Sequence, residues 1–414
     1  MRIAFITHRS PVPPNKGEKL RSFWQLRTLA RNHTIHLFCF YDDLDDEQCL
    51  DELQRYCEDY YIEKLSYIGS RTRALLALLC GRPFSTAFFY SRRMARRIEA
   101  VLKAGAFDRI FVSSSSMAPY VGADNGIAKI VDLVDVDSNK WQQYANRKPW
   151  PLGWLWCLES KRLAAYESAL VQQVAATLVC TDAEAQLLRS IAHTGVIRTV
   201  ENHIDVDQYD PANVVVPREL QSWQPYMVFS GSMDYLPNVD AVGYFCREIF
   251  PLIRQARPDV KLVIAGRNPH PSVRSLGKDH SIKVTGRVED IVPYISAAAV
   301  SIAPMRIARG VQNKVLEALA SGIPVVSTTA VASALPPKLR SLVSTGDTPR
   351  EFANHVIVAL GERASGQSDH LRRQLKHYIE GLELDAQLEN IIRQPGAEMS
   401  SAEPCHSVMA GSPA

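Results

Sequence analysis

The chain has 414 residues, enough for two or three domains. Its 46% hydrophobic and 22% charged content is ordinary for a globular protein, and a net charge of +3 gives no overall basic footprint for nucleic acid. The eight cysteines are spread singly with no CxxC pair, which argues against a zinc site or redox dithiol and points to a reducing compartment. The N-terminus MRIAFITHRSP reads as a strand entering a loop rather than a signal peptide, and no apolar run approaches the ~20 residues of a membrane span. The expected location is cytoplasmic, or peripheral on the inner face of the cell membrane.

Residues 2–7 form an unbroken apolar run and predict a buried strand. In the next loop, HRSPVPPNKGEKLR, three prolines keep the chain extended, and Gly17 marks a close approach before a helix over 18–31. Strand, glycine-bearing loop and helix are the entry geometry for a phosphate or sugar at a parallel sheet, although GxGxxG is absent. Lys16, Lys19 and Arg21 lie nearby, as ligand contacts or as exposed loop charges. The pattern then predicts a strand over 33–41, an acidic helix over 42–57, a strand near 60–65, helices over 70–80 and 91–104, and strands over 107–113 and 127–132. This alternation argues for a parallel, doubly wound sheet.

Polar residues at the ends of such strands line a ligand crevice, which draws attention to Ser113–Ser116, Asp132, Asp135 and Asp137. Asp135 is a candidate to orient or deprotonate a ligand hydroxyl; a helix cap or structural hydrogen bond is the plainer alternative. Asp135 and Asp137 also have the Asp-x-Asp spacing of metal-assisted sugar transferases, a motif short enough to arise by chance. Arg92, Arg93, Arg96 and Arg97 form either a solvated helix face or a patch for anionic lipid or pyrophosphate. Trp141, Trp150, Trp154 and Trp156 suit a membrane-facing or lipid-acceptor surface, and equally the packing of a helical excursion. A helix over 159–173, a strand over 176–180 and a helix capped by Thr181, with Glu184 at the capping-box position, lead to a strand over 196–200. The segment VENHIDVDQYDP follows, where His203 either reaches a cleft or is structural.

Residues 210–224 read as a polar, proline-containing linker. A strand over 226–230 ends at Gly231 and Ser232, and Pro237-Asn238 opens a helix over 239–255. Strands over 260–265 and 282–285 end at Gly266-Arg267 and at Gly286, Arg287 and Val288. The organising stretch is 301–326, SIAPMRIARGVQNKVLEALASGIPVV. It predicts a strand, a loop bearing Gly310, a helix from about Gln312 to Ser321, a stop at Gly322 and Pro324, and a second strand. Gly310, Asn313 or Lys314, and Glu317 share one face, opposite Val315, Leu316, Leu319 and Ala320. The helix N-terminus, with the backbone of Gly310, Val311, Gln312 and Asn313, suits a diphosphate. Lys314 adds a mobile positive charge, and Glu317 can accept from two neighbouring ribose hydroxyls. An amphipathic helix whose charges are merely solvated is the alternative. A long amphipathic helix over 369–393 and a Pro, Gly, Ala and Ser-rich tail over 394–414, expected to be disordered, complete the chain.

Glu317, Ala318, Ala320, Gly322, Pro324, Val325 and Val326 form the pattern E-A-x-A-x-G-x-P-V-V. It resembles the donor-site signature of the large family-four group of retaining GT-B glycosyltransferases. The segment R-G-x-Q-N-K-V-L-E-A is most similar to sugar transferases of bacterial exopolysaccharide and exosortase systems. The resemblance spans roughly residues 1–395. Asn202, Ile204, Asp205 and Tyr209 match the family's interdomain hinge, with His203 in place of a glycine. The family usually has a second glutamate, contacting the donor sugar, where this chain has Arg309. It also usually supplies an Arg and a Lys after Gly231 that are missing here, leaving Lys314, with Arg287 or Arg309, to neutralise the phosphates.

The resemblance implies an α/β protein of two Rossmann-like domains facing across a cleft. These are an acceptor domain over 1–209, a linker over 210–224, a nucleotide-sugar domain over 225–366 and a last helix over 367–393 packing back on the first domain. It implies donor contacts from Gly17, Gly231 and Ser232, base contacts from Gly286, Arg287 and Val288, and ribose binding by Glu317. Asp135 and Lys314 are the candidate catalytic residues. The expected activity is retaining glycosyl transfer, with no cofactor and no required metal, from a nucleotide-diphosphate sugar to a saccharide or polyprenyl-linked acceptor in exopolysaccharide synthesis. Two rivals are a GT-B sugar-nucleotide epimerase using Asp135 and Glu201 as cleft carboxylates, and a non-catalytic nucleotide-sugar-binding protein.

Overall fold

Runs such as IAFI and KIVDLV are apolar on both faces of a strand, and only a sheet covered on both sides buries them. The computed structural model shows two such sheets. It describes residues 1–396 except 16, 42–46, 106, 123–125, 147, 148, 309 and 362–366. The expectations for Lys16, Arg309 and the tail beyond 396 therefore lie outside the described residues.

The first sheet has seven strands in the order β3-β2-β1-β4-β5-β6-β7. They are β1 (Arg2–Thr7), β2 (Thr34–Tyr41), β3 (Asp59–Lys64), β4 (Arg109–Ser113), β5 (Ala128–Val134), β6 (Ala176–Val179) and β7 (Ile197–Thr199). The second has six, β10-β9-β8-β11-β12-β13. These are β8 (Tyr226–Ser230), β9 (Lys261–Ala265), β10 (Ile282–Gly286), β11 (Val300–Ala303), β12 (Val325–Ser327) and β13 (Val343–Thr345). The strand pairs are parallel, as between β1 and β4 and between β8 and β11. Alternation along β1 places Ile3 and Phe5 in one core and Ala4 and Ile6 in the other. The result is two Rossmann-like α/β domains, as expected.

Several elements differ from the sequence reading. Of the acidic helix expected over 42–57, residues 42–46 lie outside the described residues, and the remainder includes a 3-10 helix at Leu50–Arg55. The helix expected over 239–255 is broken into Leu236–Tyr244, a π turn at Phe245–Ile249 and Phe250–Ala256. Pro251 explains the break, because its ring clashes with the carbonyl four residues back unless the turn widens. The helix expected over 159–173 begins earlier, at Leu152, and a further helix spans Asp137–Ala145.

The last helix is two helices, Gln367–Leu382 and Leu384–Arg393, divided at Glu383 in the left-handed region (φ 48°). Leu371 and Leu375 join the second domain's core, whereas Leu384, Leu388, Ile391 and Ile392 join the first domain's. A turn between them lets one continuous apolar rhythm serve two cores. Asp385 fixes the crossing by accepting from Trp24 Nε1 (2.8 Å) and Thr28 Oγ1 (2.9 Å).

Candidate functional site

The helix Asn313–Ala320 follows β11 and precedes β12. It stops as its sequence dictates. Gly322 adopts φ 70°, its N–H donates to Leu319 O (3.0 Å), and Ile323 N–H donates to Ala318 O (2.8 Å). Arg372 donates to Ala320 O (2.7 Å), a cation at the negative end of the helix dipole. Within the helix only Asn313 and Glu317 are not fully buried. One turn apart, they form a polar stripe at the carboxyl end of the second sheet.

Glu317 is half-buried and accepts from the Ser230 hydroxyl at the end of β8. Burial pushes its carboxyl up to about 7, against the opposing pull of Lys314. Lys314 departs from expectation: it is 8% exposed and fixed rather than mobile. Its Nζ donates to Asn238 Oδ1 (2.7 Å) and lies 4.1 Å from the centroid of the Phe229 ring. Burial lowers its ammonium to about 7. The same Asn238 donates through Nδ2 to Ser232 O (2.8 Å), so it ties the Gly231–Ser232 turn to the lysine.

The loop before this helix meets the first domain. Gly310 has φ 56°, and a Cβ there would overlap Asp135 Oδ1, so both backbone and space demand glycine. Asp135 is half-buried and Cys180 Sγ donates to its Oδ1 (3.1 Å); burial raises its carboxyl above the usual range. Asp135 thus lies against the loop that bears Gly310, at the domain boundary. Asn313 Oδ1 accepts from Asn202 Nδ2 (3.3 Å), and a Cβ on Gly17 would come within 3.2 Å of Asn313 Nδ2. Gly17, Asp135, Gly310 and Asn313 therefore meet across the gap.

Asp132 does not line the crevice. It is fully buried and accepts from Arg21 Nε (2.7 Å) and from Gln25. Arg21 also reaches Val200 O (2.9 Å) and Asn202 Oδ1 (3.0 Å). Lys19 and Arg21 are buried, not exposed loop charges, because the helix Gly17–Ala30 packs this face against the sheet. Asp137 accepts from Lys140 Nζ (3.0 Å) and Ser115 Oγ (3.3 Å), so the two carboxylates of Asp135-x-Asp137 turn to different partners. Among the described residues, no group of three or more His, Cys, Asp or Glu side chains converges. Glu201 accepts from Tyr378 OH (2.7 Å), and His203 stacks on Trp24 with ring centroids 5.6 Å apart. Glu201 is thus tied to the helix Gln367–Leu382, and His203 to the helix Gly17–Ala30.

Gly286 ends β10 with φ 68°, next to exposed Arg287 and half-buried Val288. A shallow cavity of about 860 Å³ opens here, lined in part by Asn268, Pro269, Thr285, Gly286 and Arg287.

Three residues near the gap escaped the sequence reading. Asn238 was read only as a helix start. His8 follows β1; burial lowers its imidazole to about 4, one ring nitrogen bonds the Ser113 backbone, and Nδ1 is buried without a partner. Arg267 follows β9; burial, then the charges of Arg9 and Arg287, lower its guanidinium to about 10. His8 stands directly after β1 and Arg267 two residues after the end of β9, within the reach of the rule that singled out Asp135.

Residues 224–362 match the family described as Glycosyl transferases group 1. The whole chain resembles solved structures of that two-domain shape. Sucrose-phosphate synthase from Thermosynechococcus elongatus superposes with a TM-score of 0.71 at 15% identity, over 95% of this chain and 99% of that one. HepE of Anabaena, solved with UDP and glucose, gives 0.65 at 14% identity, over 95% and 99%. WaaG, a glycosyltransferase involved in lipopolysaccharide biosynthesis, gives 0.62 at 15% identity, over 95% and 100%. Among curated proteins none matches the chain. The fold is GT-B, and the family match over the second domain supports a glycosyltransferase of group 1.

Proposed function

We propose that the protein transfers a sugar, with retention, from a nucleotide-diphosphate sugar to a saccharide or lipid-linked acceptor in exopolysaccharide synthesis. The observation that carries this reading is the Asn313 and Glu317 stripe, which faces the sheet end beside Ser230 while the preceding loop meets Asp135 across the gap. Ionised Glu317 accepts from the two ribose hydroxyls. The diphosphate lies at the amino end of the helix, where backbone N–H groups from Gly310 to Asn313 and the dipole face it. Lys314, Arg267 and Arg287 supply positive charge to the leaving nucleotide as the bond from the anomeric carbon to the phosphate oxygen breaks. Asp135 orients the acceptor hydroxyl that forms the new bond. Closure of the two domains excludes water, the competing acceptor.

UDP-glucose complexes of the similar HepE, and UDP-2-fluoro glucose bound to a trehalose-6-phosphate protein of E. coli, make UDP-sugars the first donors to try. The test is thermal shift and donor turnover against UDP-, GDP-, ADP- and dTDP-sugars. A donor that stabilises the protein and yields free nucleotide with a transferred sugar supports the reading. Tight binding with no turnover above background overturns it. Release of an epimerised nucleotide sugar without acceptor also overturns it.

A further inference from the structure

The helix Tyr67–Leu79 is turned inside out. Its buried side chains are the small Ser70 and Ala77, while Ile68 (81% exposed), Leu75, Leu76 and Leu79 (77% exposed) face water. Ile68, Leu75 and Leu79 recur at helical spacing and share one face, on which exposed Arg71 and Thr72 stand between Ile68 and Leu75. Its end packs beside the middle of the helix Leu152–Gln173, where Arg162 donates to Leu78 O (2.9 Å) and Arg82 O (3.3 Å). The start of that helix presents Trp154, and before it Trp150 (82% exposed). Among the described residues, most exposed large apolar side chains belong to these two segments of the first domain, a concentration that ordinary solvation does not explain.

Charge surrounds the patch. Between Glu63 and Glu99 there is no acidic residue, but there are Lys64, Arg71, Arg73, Arg82 and the four arginines that open the helix Arg92–Ala104. Those four, with Arg71 and Arg82, are exposed. The arginine helix begins at Ser91, whose Oγ donates to Glu63 (2.6 Å) at the end of the strand that leads into Tyr67. The chain carries a net +3 overall, so this segment is far from average.

We propose that this face docks on the surface of an anionic lipid bilayer. Apolar side chains enter the acyl boundary, Trp150 and Trp154 occupy the headgroup level, and the arginines pair with lipid phosphates. A second copy of the chain fits less well. An isologous dimer through this patch would bring the same basic rim against itself. Among the described residues no helix is long and apolar enough to cross a membrane, so the contact is one of lying on the surface. An aromatic layer joins the patch to the domain gap. Trp141 packs on Phe84 (5.1 Å between centroids) and Trp156 (6.0 Å), Trp156 packs on Tyr144 (5.7 Å), and Tyr144 OH meets Tyr235 OH of the second domain (3.3 Å). A lipid-anchored acceptor would thus reach the gap along the edge of the domain. That last step rests on the glycosyl-transfer reading, whereas the docking face does not.

Flotation of the full chain with vesicles tests the proposal. Phosphatidylethanolamine vesicles containing phosphatidylglycerol should carry at least about tenfold more protein than phosphatidylcholine vesicles, a factor that one or two engaged arginines supply. Binding should weaken toward about 1 M salt, where screening acts within about 3 Å. The variant I68S/L75S/L76S/L79S alters only outward-facing side chains. It should lose at least about tenfold of the partition while keeping the wild-type thermal shift with a nucleotide sugar. Equal partition to both vesicle types, unchanged partition of the variant, or a wild-type dimer that the variant dissolves would each overturn the proposal. Donor turnover without vesicles is read separately, so its failure sinks the enzymatic reading and leaves the docking result standing.

Discussion

Asn202 Nδ2 donates to Asn313 Oδ1 at 3.3 Å, and the other end of Asn202 accepts from Arg21, which is paired with buried Asp132. A polar chain therefore runs from the core of the first domain to the first residue of the helix Asn313–Ala320. Asn202→Ala removes one link at a cost of about 1 kcal/mol. We expect a small fall in melting temperature and a KM for donor about fivefold higher, measured by calorimetry and steady-state kinetics. An unchanged KM would show that the link does not position the helix.

Asp132→Asn attacks the same chain at its root. It leaves the Arg21 guanidinium buried without its countercharge, which costs about 3–5 kcal/mol. Urea unfolding should show a loss of that size. A loss below about 1 kcal/mol would mean that Arg21 finds water or another acceptor.

Glu317→Ala should remove the nucleotide-dependent rise in melting temperature while the ligand-free protein stays folded. The hydrogen bonds lost are to a charged group, so affinity should fall about 10- to 100-fold. Because only ionised Glu317 accepts from both hydroxyls and its carboxyl is raised to about 7, donor affinity of the wild type should drop as pH falls below 7. Glu317→Gln should flatten that dependence. Titration calorimetry at several pH values measures both.

The Lys314 and Glu317 pair also shapes the stability of the ligand-free protein. A raised Glu317 favours the fold fully below its unfolded value of about 4.3, and that contribution is lost as pH rises through 7. A lowered Lys314 favours the fold fully above about 10.4, and that contribution is lost as pH falls through 7. Wild type relative to K314M/E317Q should therefore be least stable near neutral pH and gain on either side. A difference in melting temperature that peaks near pH 7 would contradict the assignment.

Asp135→Asn should slow transfer about a hundredfold with donor affinity changed less than about twofold. Stopped-assay kinetics with separate donor binding distinguish the two effects. A large loss of donor affinity would move Asp135 to the donor side, next to Gly310.

Local chemistry was legible in the sequence where one residue's own geometry decides the outcome. Gly322 and Pro324 ended the helix because no other arrangement suits a left-handed glycine followed by a residue without an N–H. Unbroken apolar runs separated by helices gave the parallel sheets, and the end-of-strand rule placed Asp135 just after β5. The same end-of-strand rule included Asp132 wrongly, because a neighbouring helix supplied Arg21 and Gln25 to bury it.

By itself, then, the order of residues determined the repeated strand and helix rhythm, the helix Asn313–Ala320 and its two boundaries, since these depend on neighbours within a few positions. Only tertiary structure decided which charges are buried and which partners hold them. Lys314 looked mobile until Asn238, 76 positions away, held it over Phe229. One apolar rhythm over the last helices served two cores, while the leucines of Tyr67–Leu79 faced outward. Burial and partners come from segments distant in the chain, and a sequence pattern records a side chain's periodicity but not what lies opposite it.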